Sequence, residues 1–244
     1  MTQEAIILAA GSGTRLKPLT DHAPKCLTEV NGIPILVNTL HNLAACGITS
    51  TTIITGYLSN VISDFIGYRF NNIDISYIKN PHYAITNDMY SLWLARHVLE
   101  RGGLVLEGDI FFRAKTLQSA LESMKNRSFY ITGKYNGKKG EILISTDHEK
   151  RIVSIHVLDR DESGRLAPYN FMSTGLLCVE ASYGKRLSLW LTDAVSKNNV
   201  NILFDRVLSN HVADIPLWVY EIGQDEWVEI DTMDDLERAE TIFI

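Results

Sequence analysis

Residues 8–25, LAAGSGTRLKPLTDHAPK, gather the glycines and cations that handle a phosphate chain. An apolar run over 5–9 ends at Gly11-Ser12-Gly13. Glycines at the carboxyl end of a buried strand let the backbone bend sharply and bring its N–H groups against a phosphate or a base. Arg15 and Lys25 add a planar fork for phosphate oxygens and a movable point charge to the same loop. The string is not a P-loop, which needs G-x-x-x-x-G-K-[ST]. Nor is it a dinucleotide fingerprint: Leu16 stands where the third glycine belongs, and residues 28–45 do not supply the acidic strand end.

Three acids make a second constellation. Asp109 follows the apolar run 103–106, so its carboxylate is expected at a strand end, facing a ligand cleft. Glu229 and Asp231 stand at i, i+2 in a short strand-like run and share one face. Such hard oxygens suit Mg2+, which takes one or two carboxylates together with phosphates and waters. The seven histidines show no H-x-x-x-H spacing, and no serine lies in G-x-S-x-G. Neither a histidine metal site nor an α/β-hydrolase is expected.

Strand ends must position these groups. Continuous apolar or β-branched runs over 5–9, 51–55, 74–78 and 103–106 alternate with helical spacing over 35–45, 58–70 and 90–99. This predicts parallel strands joined by right-handed helical crossovers. Strand-like runs over 129–134, 141–145, 152–157 and 174–179 then follow with short connections, which predicts an antiparallel region. Helices are expected over 183–196, 201–212 and 234–242, and strands over 217–222 and 227–230. The fold class is α/β: a Rossmann-like, mainly parallel central sheet flanked by helices, with a small antiparallel insertion in the second half. No repeat, low-complexity segment or Pro/Gly/Ser linker divides 1–244, so one domain is expected.

The 244 residues are 45% hydrophobic and 21% charged, which excludes collagen-like, disulfide-scaffold and disordered classes. The net charge of −6 predicts a surface that repels nucleic acid and anionic membranes at long range. Cys26, Cys46 and Cys178 are an odd number without metal-ligand spacing, as for free thiols in a reducing compartment. No apolar run reaches the length of a membrane span, and the run over 5–10 is too short for a signal-peptide core. A cytoplasmic location without membrane or nucleic-acid partners is expected.

The string G-S-G-T-R-L-x-P-L-T…P-K resembles the signature of the nucleoside-triphosphate transferases that activate sugar phosphates and similar small phosphates. Gly56-Tyr57, Glu107-Gly108-Asp109 and Glu229-Ile230-Asp231 fall in the order that family shows. The resemblance implies a nucleotide-diphospho-sugar transferase fold. It implies that Leu8, Ala9, Ala10, Gly11, Ser12, Gly13 and Thr14 wrap the nucleotide, with Glu107 beside them. Arg15 and Lys25 would bind the triphosphate and stabilise charge as pyrophosphate leaves. Asp109 and Asp231, with Glu229, would hold Mg2+.

Residues 80–92, NPHYAITNDMYSL, resemble the cytidylyltransferases for phosphocholine and aminoalkyl phosphonates. Asn87 and Ser91 would then offer amide and hydroxyl groups to a cytosine edge. The implied reaction joins CTP to a small phosphate or phosphonate, giving a CMP-activated product and pyrophosphate. A sugar-1-phosphate nucleotidyltransferase using UTP, dTTP or GTP stays open, as does a homodimer. For the acceptor, a quaternary ammonium calls for aromatic rings and a primary one for carboxylates. Trp227, two residues before Glu229, is expected on the face of the metal carboxylates, whereas Trp190, Trp218, Tyr169 and Phe171 are expected in the core. Glu141 and Asp88 are the candidate carboxylates. Glu141 lies near an acceptor-contacting position of phosphocholine-type members, but Lys139-Gly140-Glu141 lacks a tryptophan, which favours a primary amine.

Overall fold

The central strand Glu4–Ala9 is buried along its length after Glu4 because both of its faces are covered. Ile6 and Leu8 enter one apolar core, with Leu92, Leu187 and Leu191. Ala5, Ile7 and Ala9 enter the other, with Leu36, Leu40 and Ile62. This alternation is the period-two pleat of a strand held between two helical layers. The computed structural model describes residues 4–135, 142–158 and 169–244.

Glu4–Ala9 pairs in parallel with Ser50–Thr55 on one side and Gly103–Glu107 on the other, and Ser50–Thr55 pairs in parallel with Ile73–Lys79. Phe171–Val179 then adds antiparallel to Gly103–Glu107, with Leu176 opposite Leu106. It also pairs with Phe129–Lys134 and Ile142–Thr146, and Ile152–Val157 lies beyond the latter. Among the described residues the result is a ten-stranded mixed sheet with a parallel centre and an antiparallel flank, as the sequence pattern predicts. A third, smaller core joins Leu16, Ile35 and Phe111 to Val228, Ile230 and Leu236. It ties the glycine loop to the last helix, Met233–Ile242.

The differences from the sequence pattern are local. The helix expected over 58–70 is Ser59–Ile66; it stops at Gly67, whose φ is +73°, and Arg69–Phe70 pairs as a strand. The helix expected over 90–99 is two, Asp88–Leu94 and Arg96–Leu99, interrupted at Ala95. The helix expected over 201–212 is Phe204–Ser209. Helix Ala114–Ser123 has no counterpart among the expectations, because its buried stripe is only Thr116, Leu117 and Ala120. Among the described residues no helix is long and apolar enough to cross a membrane.

Candidate active site

A cleft of about 1020 Å³ opens beside the carboxyl ends of Glu4–Ala9 and Gly103–Glu107. Leu8, Ala9, Ala10, Gly11, Gly13 and Thr14 line it, and Ser12 lies between them in the chain. The Gly108 N–H donates to the Leu8 carbonyl at 2.9 Å, which holds the two strand ends together. A Cβ on Gly108 would stand 2.7 Å from that carbonyl oxygen, so only glycine fits. Gly13 has a left-handed φ of +61°, and a Cβ there would lie 2.8 Å from the Cβ of Lys25. The Thr20 hydroxyl donates to the Gly13 carbonyl at 2.8 Å and closes the loop. Lys25 therefore returns directly over Gly13, twelve positions before it.

The Lys25 ammonium donates to Asp109 Oδ2 at 2.6 Å and to Asp231 Oδ1 at 2.5 Å. Arg15 reaches the same Asp231 oxygen at 2.8 Å, with its own side chain 55% exposed. Burial works to lower the Lys25 pKa, but the charges and hydrogen bonds of Asp109 and Asp231 outweigh it and raise it, so the lysine stays charged.

Hydrogen bonds of the main chain hold the segments that carry Asp109 and Asp231. The Ile230 N–H donates to the Asp109 carbonyl at 3.0 Å and joins that turn to strand Trp227–Glu229. Asp231 precedes the capping box of Met233–Ile242, in which the Asp235 carboxylate accepts from the Thr232 N–H at 2.8 Å and from the Asp231 N–H at 3.2 Å. Asp109, Glu229 and Asp231 each bring a carboxylate oxygen within 4.8 Å of the others. Asp109 Oδ1 is buried without a hydrogen-bond partner among the described residues. An orphaned carboxylate oxygen beside two further acids is a donor set suited to a hard divalent cation, so these residues fit magnesium.

Asn87 and Ser91 both line the cleft. Asn87 caps helix Asp88–Leu94, its side chain accepting from the Asp88 N–H at 2.9 Å. Ser91 Oγ accepts from the Asn80 amide at 3.1 Å, and the same amide reaches Thr86 Oγ1 at 3.0 Å. Asn80 and Tyr83, also on the lining, belong to the same segment.

A second acid group lies beside the first. Asp88 and Glu107 line the cleft, and Asp205 is buried behind them, with one oxygen of each within 4.8 Å of the other two. Asp88 also accepts from the Phe204 N–H at 2.8 Å, and the Tyr130 hydroxyl donates to Asp205 Oδ1. Burial, then the charge of Asp205, raises the Asp88 carboxyl well above the usual range. Burial raises Glu107 in the same way, reinforced by Asp109 and Glu229. Asp205 is pushed up to about 6 by burial, against the hydrogen bond from Tyr130. Sequence reasoning missed Asp205 and its neighbour Arg206, which lines the cleft. The available signal was an acid set beside the apolar stripe Phe204, Val207 and Leu208 of a short helix.

One expected acceptor residue is not brought to the cleft. Trp227 is 8% exposed and fills the core with Ile131, Leu176 and Ile222. A Cβ on Gly133 would lie 3.1 Å from its ring. Trp227 pairs with Phe112 at the far end of its strand, whereas Glu229 pairs with Ile110 beside the Asp109 turn. Two residues of strand, about 6–7 Å, separate cleft from core here. Glu141 lies outside the described residues. Trp190 and Trp218 are also engaged elsewhere: Trp190 stacks on His211 at 4.3 Å, and Trp218 faces the Arg127 guanidinium.

Residues 4–154 match the sequence model of the family described as nucleotidyl transferase. A 2-aminoethylphosphonate cytidylyltransferase of Lancefieldella rimae is 28% identical over 234 residues, covering 95% of this chain and 89% of its own. A choline-phosphate cytidylyltransferase of Streptococcus pneumoniae is 25% identical over 240 residues, 98% of this chain and 97% of its own. The solved structure of a CTP:phosphocholine cytidylyltransferase from Streptococcus pneumoniae superposes with a TM-score of 0.83 at 24% identity, covering 100% of both chains. That likeness is one of fold.

Proposed function

This chain belongs to the nucleotidyl transferase family, and we propose that it transfers the cytidylyl group of CTP to a small phosphonate or phosphate acceptor, releasing pyrophosphate. The observation that carries the transfer reaction is the convergence of Lys25 and Arg15 with Asp109, Glu229 and Asp231 beside the glycine loop. The cytidylyl donor is supported by the two full-length relatives, both named for that activity. Asn87 and Ser91 are the groups proposed to meet the cytosine edge.

An acceptor oxygen attacks the α-phosphorus, the bond to the β-phosphate oxygen breaks, and pyrophosphate leaves with the electron pair. The acceptor is already anionic near neutral pH, so catalysis reduces to positioning and charge neutralisation. The glycine loop offers backbone N–H groups to the phosphates. Arg15, exposed at the rim, grips the departing pyrophosphate, and Lys25 neutralises the reacting phosphates. Asp109, Glu229 and Asp231 would hold Mg2+, which when bound neutralises phosphate oxygens.

Pyrophosphate release tests this reading. CTP, UTP, GTP, ATP and dTTP are offered with 2-aminoethylphosphonate, phosphocholine, inositol phosphate and glucose-1-phosphate, with and without Mg2+. Turnover confined to CTP with a phosphonate or phosphoalcohol is expected. Turnover of glucose-1-phosphate with UTP, dTTP or GTP in its place would make the chain a sugar-1-phosphate enzyme.

A further inference from the structure

The second acid group opens onto the same cleft but has no part in the transfer chemistry above. Asp205 is completely buried, and its Oδ2 has no hydrogen-bond partner among the described residues. A buried carboxylate oxygen left without a donor costs stability unless a ligand supplies one. Asp88 and Glu107 each bring a further carboxyl oxygen close to one of Asp205, so three acids are gathered at one point. A cation carrying several N–H groups would answer both needs. Three oxygens accepting from one ammonium nitrogen at about 2.8 Å stand about 4.6 Å apart. The oxygens of Asp88, Glu107 and Asp205 lie within 4.8 Å of one another.

Building on the cytidylyltransferase reading, we infer that Asp88, Glu107 and Asp205 form the subsite for the ammonium end of the acceptor, and that it selects a primary over a quaternary ammonium. A quaternary ammonium has no N–H to give and is held by aromatic faces. Tyr83 is the one aromatic ring on the cleft lining among the described residues. Residues 136–141 and 159–168 contain no Phe, Trp or Tyr. The two acid groups meet at Glu107, two positions before Asp109. That step is about 6–7 Å of chain, within reach of a short aminoalkyl linker between phosphonate and ammonium.

The test compares kcat/KM with CTP for four acceptors: 2-aminoethylphosphonate, phosphoethanolamine, phosphocholine and ethylphosphonate, which lacks the amine. The primary amines are expected to lead phosphocholine and ethylphosphonate by about a hundredfold or more, because the acids are otherwise left without donors. Asp205→Asn is expected to shrink that lead by about tenfold or more, chiefly through the KM of the amine. The wild-type comparison stands by itself if the variant does not fold. Phosphocholine or ethylphosphonate turned over within a few-fold of 2-aminoethylphosphonate would overturn this inference and leave the cytidylyltransferase reading intact. No turnover of any of the four with CTP would overturn this inference, and with no turnover of inositol phosphate either it would withdraw the cytidylyltransferase reading as well.

Discussion

The Lys25 ammonium lies between two carboxylates from distant parts of the chain, 2.6 Å from Asp109 and 2.5 Å from Asp231. A single positive charge thus joins the glycine loop, a central strand end and the cap of the last helix. It balances acids that would otherwise repel one another at the same place where a divalent cation would bind. The ion pairs are mostly shielded, with Lys25 13% and Asp231 14% exposed, so they resist screening better than surface pairs.

Lys25→Ala is expected to lower kcat by about 10²–10³, the scale for loss of a charge-stabilising group. In chelating buffer it should also lower the melting temperature, because Asp109 and Asp231 lose their shared partner. Millimolar Mg2+ should recover much of that loss by binding the folded state. Calorimetric scans with and without Mg2+, alongside kcat, check both parts.

Asp109→Asn keeps the side-chain size and removes the charge from the orphaned oxygen. The Mg2+ concentration for half-maximal activity should rise at least about tenfold, as ligand loss must exceed the effect of losing an outer-shell partner. An unchanged magnesium titration would remove Asp109 from the metal site.

Gly13→Ala combines a left-handed φ with a Cβ 2.8 Å from that of Lys25. A cost of about 1–3 kcal/mol is expected from the backbone and the displaced lysine. Urea unfolding measures it, and kcat should fall in parallel because Lys25 must move.

The buried Asp205 predicts a pH dependence of stability. Its carboxyl is raised from the ordinary 3.8 to about 6 in the folded protein. Below pH 3.8 both states hold the proton and the group contributes nothing. As pH rises to about 6 the unfolded chain releases it first, so stability falls by on the order of 3 kcal/mol. Asp205→Asn should flatten that descent in unfolding free energies measured between pH 4 and 7.

Trp227→Ala should act through the core. About 3–5 kcal/mol of stability is expected to go with the ring over Gly133. A fully stable variant with a weakened acceptor KM would return Trp227 to the binding site.

The sequence by itself determined the glycine loop, its two cations and the acids at 109, 229 and 231. Each is a local requirement: a backbone only glycine can follow, a charge at a strand end, two acids on one strand face. The parallel core was legible for the same reason, since apolar runs and helical periods are written in consecutive residues. Tertiary structure alone decided that Asp205 stands behind Asp88 and Glu107, because positions 117 and 98 residues away in the sequence meet it only when Phe204–Ser209 docks onto Asp88–Leu94. It also decided that Trp227 points into the core. Which end of a three-residue strand meets the cleft depends on its partner strand, Ile110–Phe112, and no spacing within the strand records that choice.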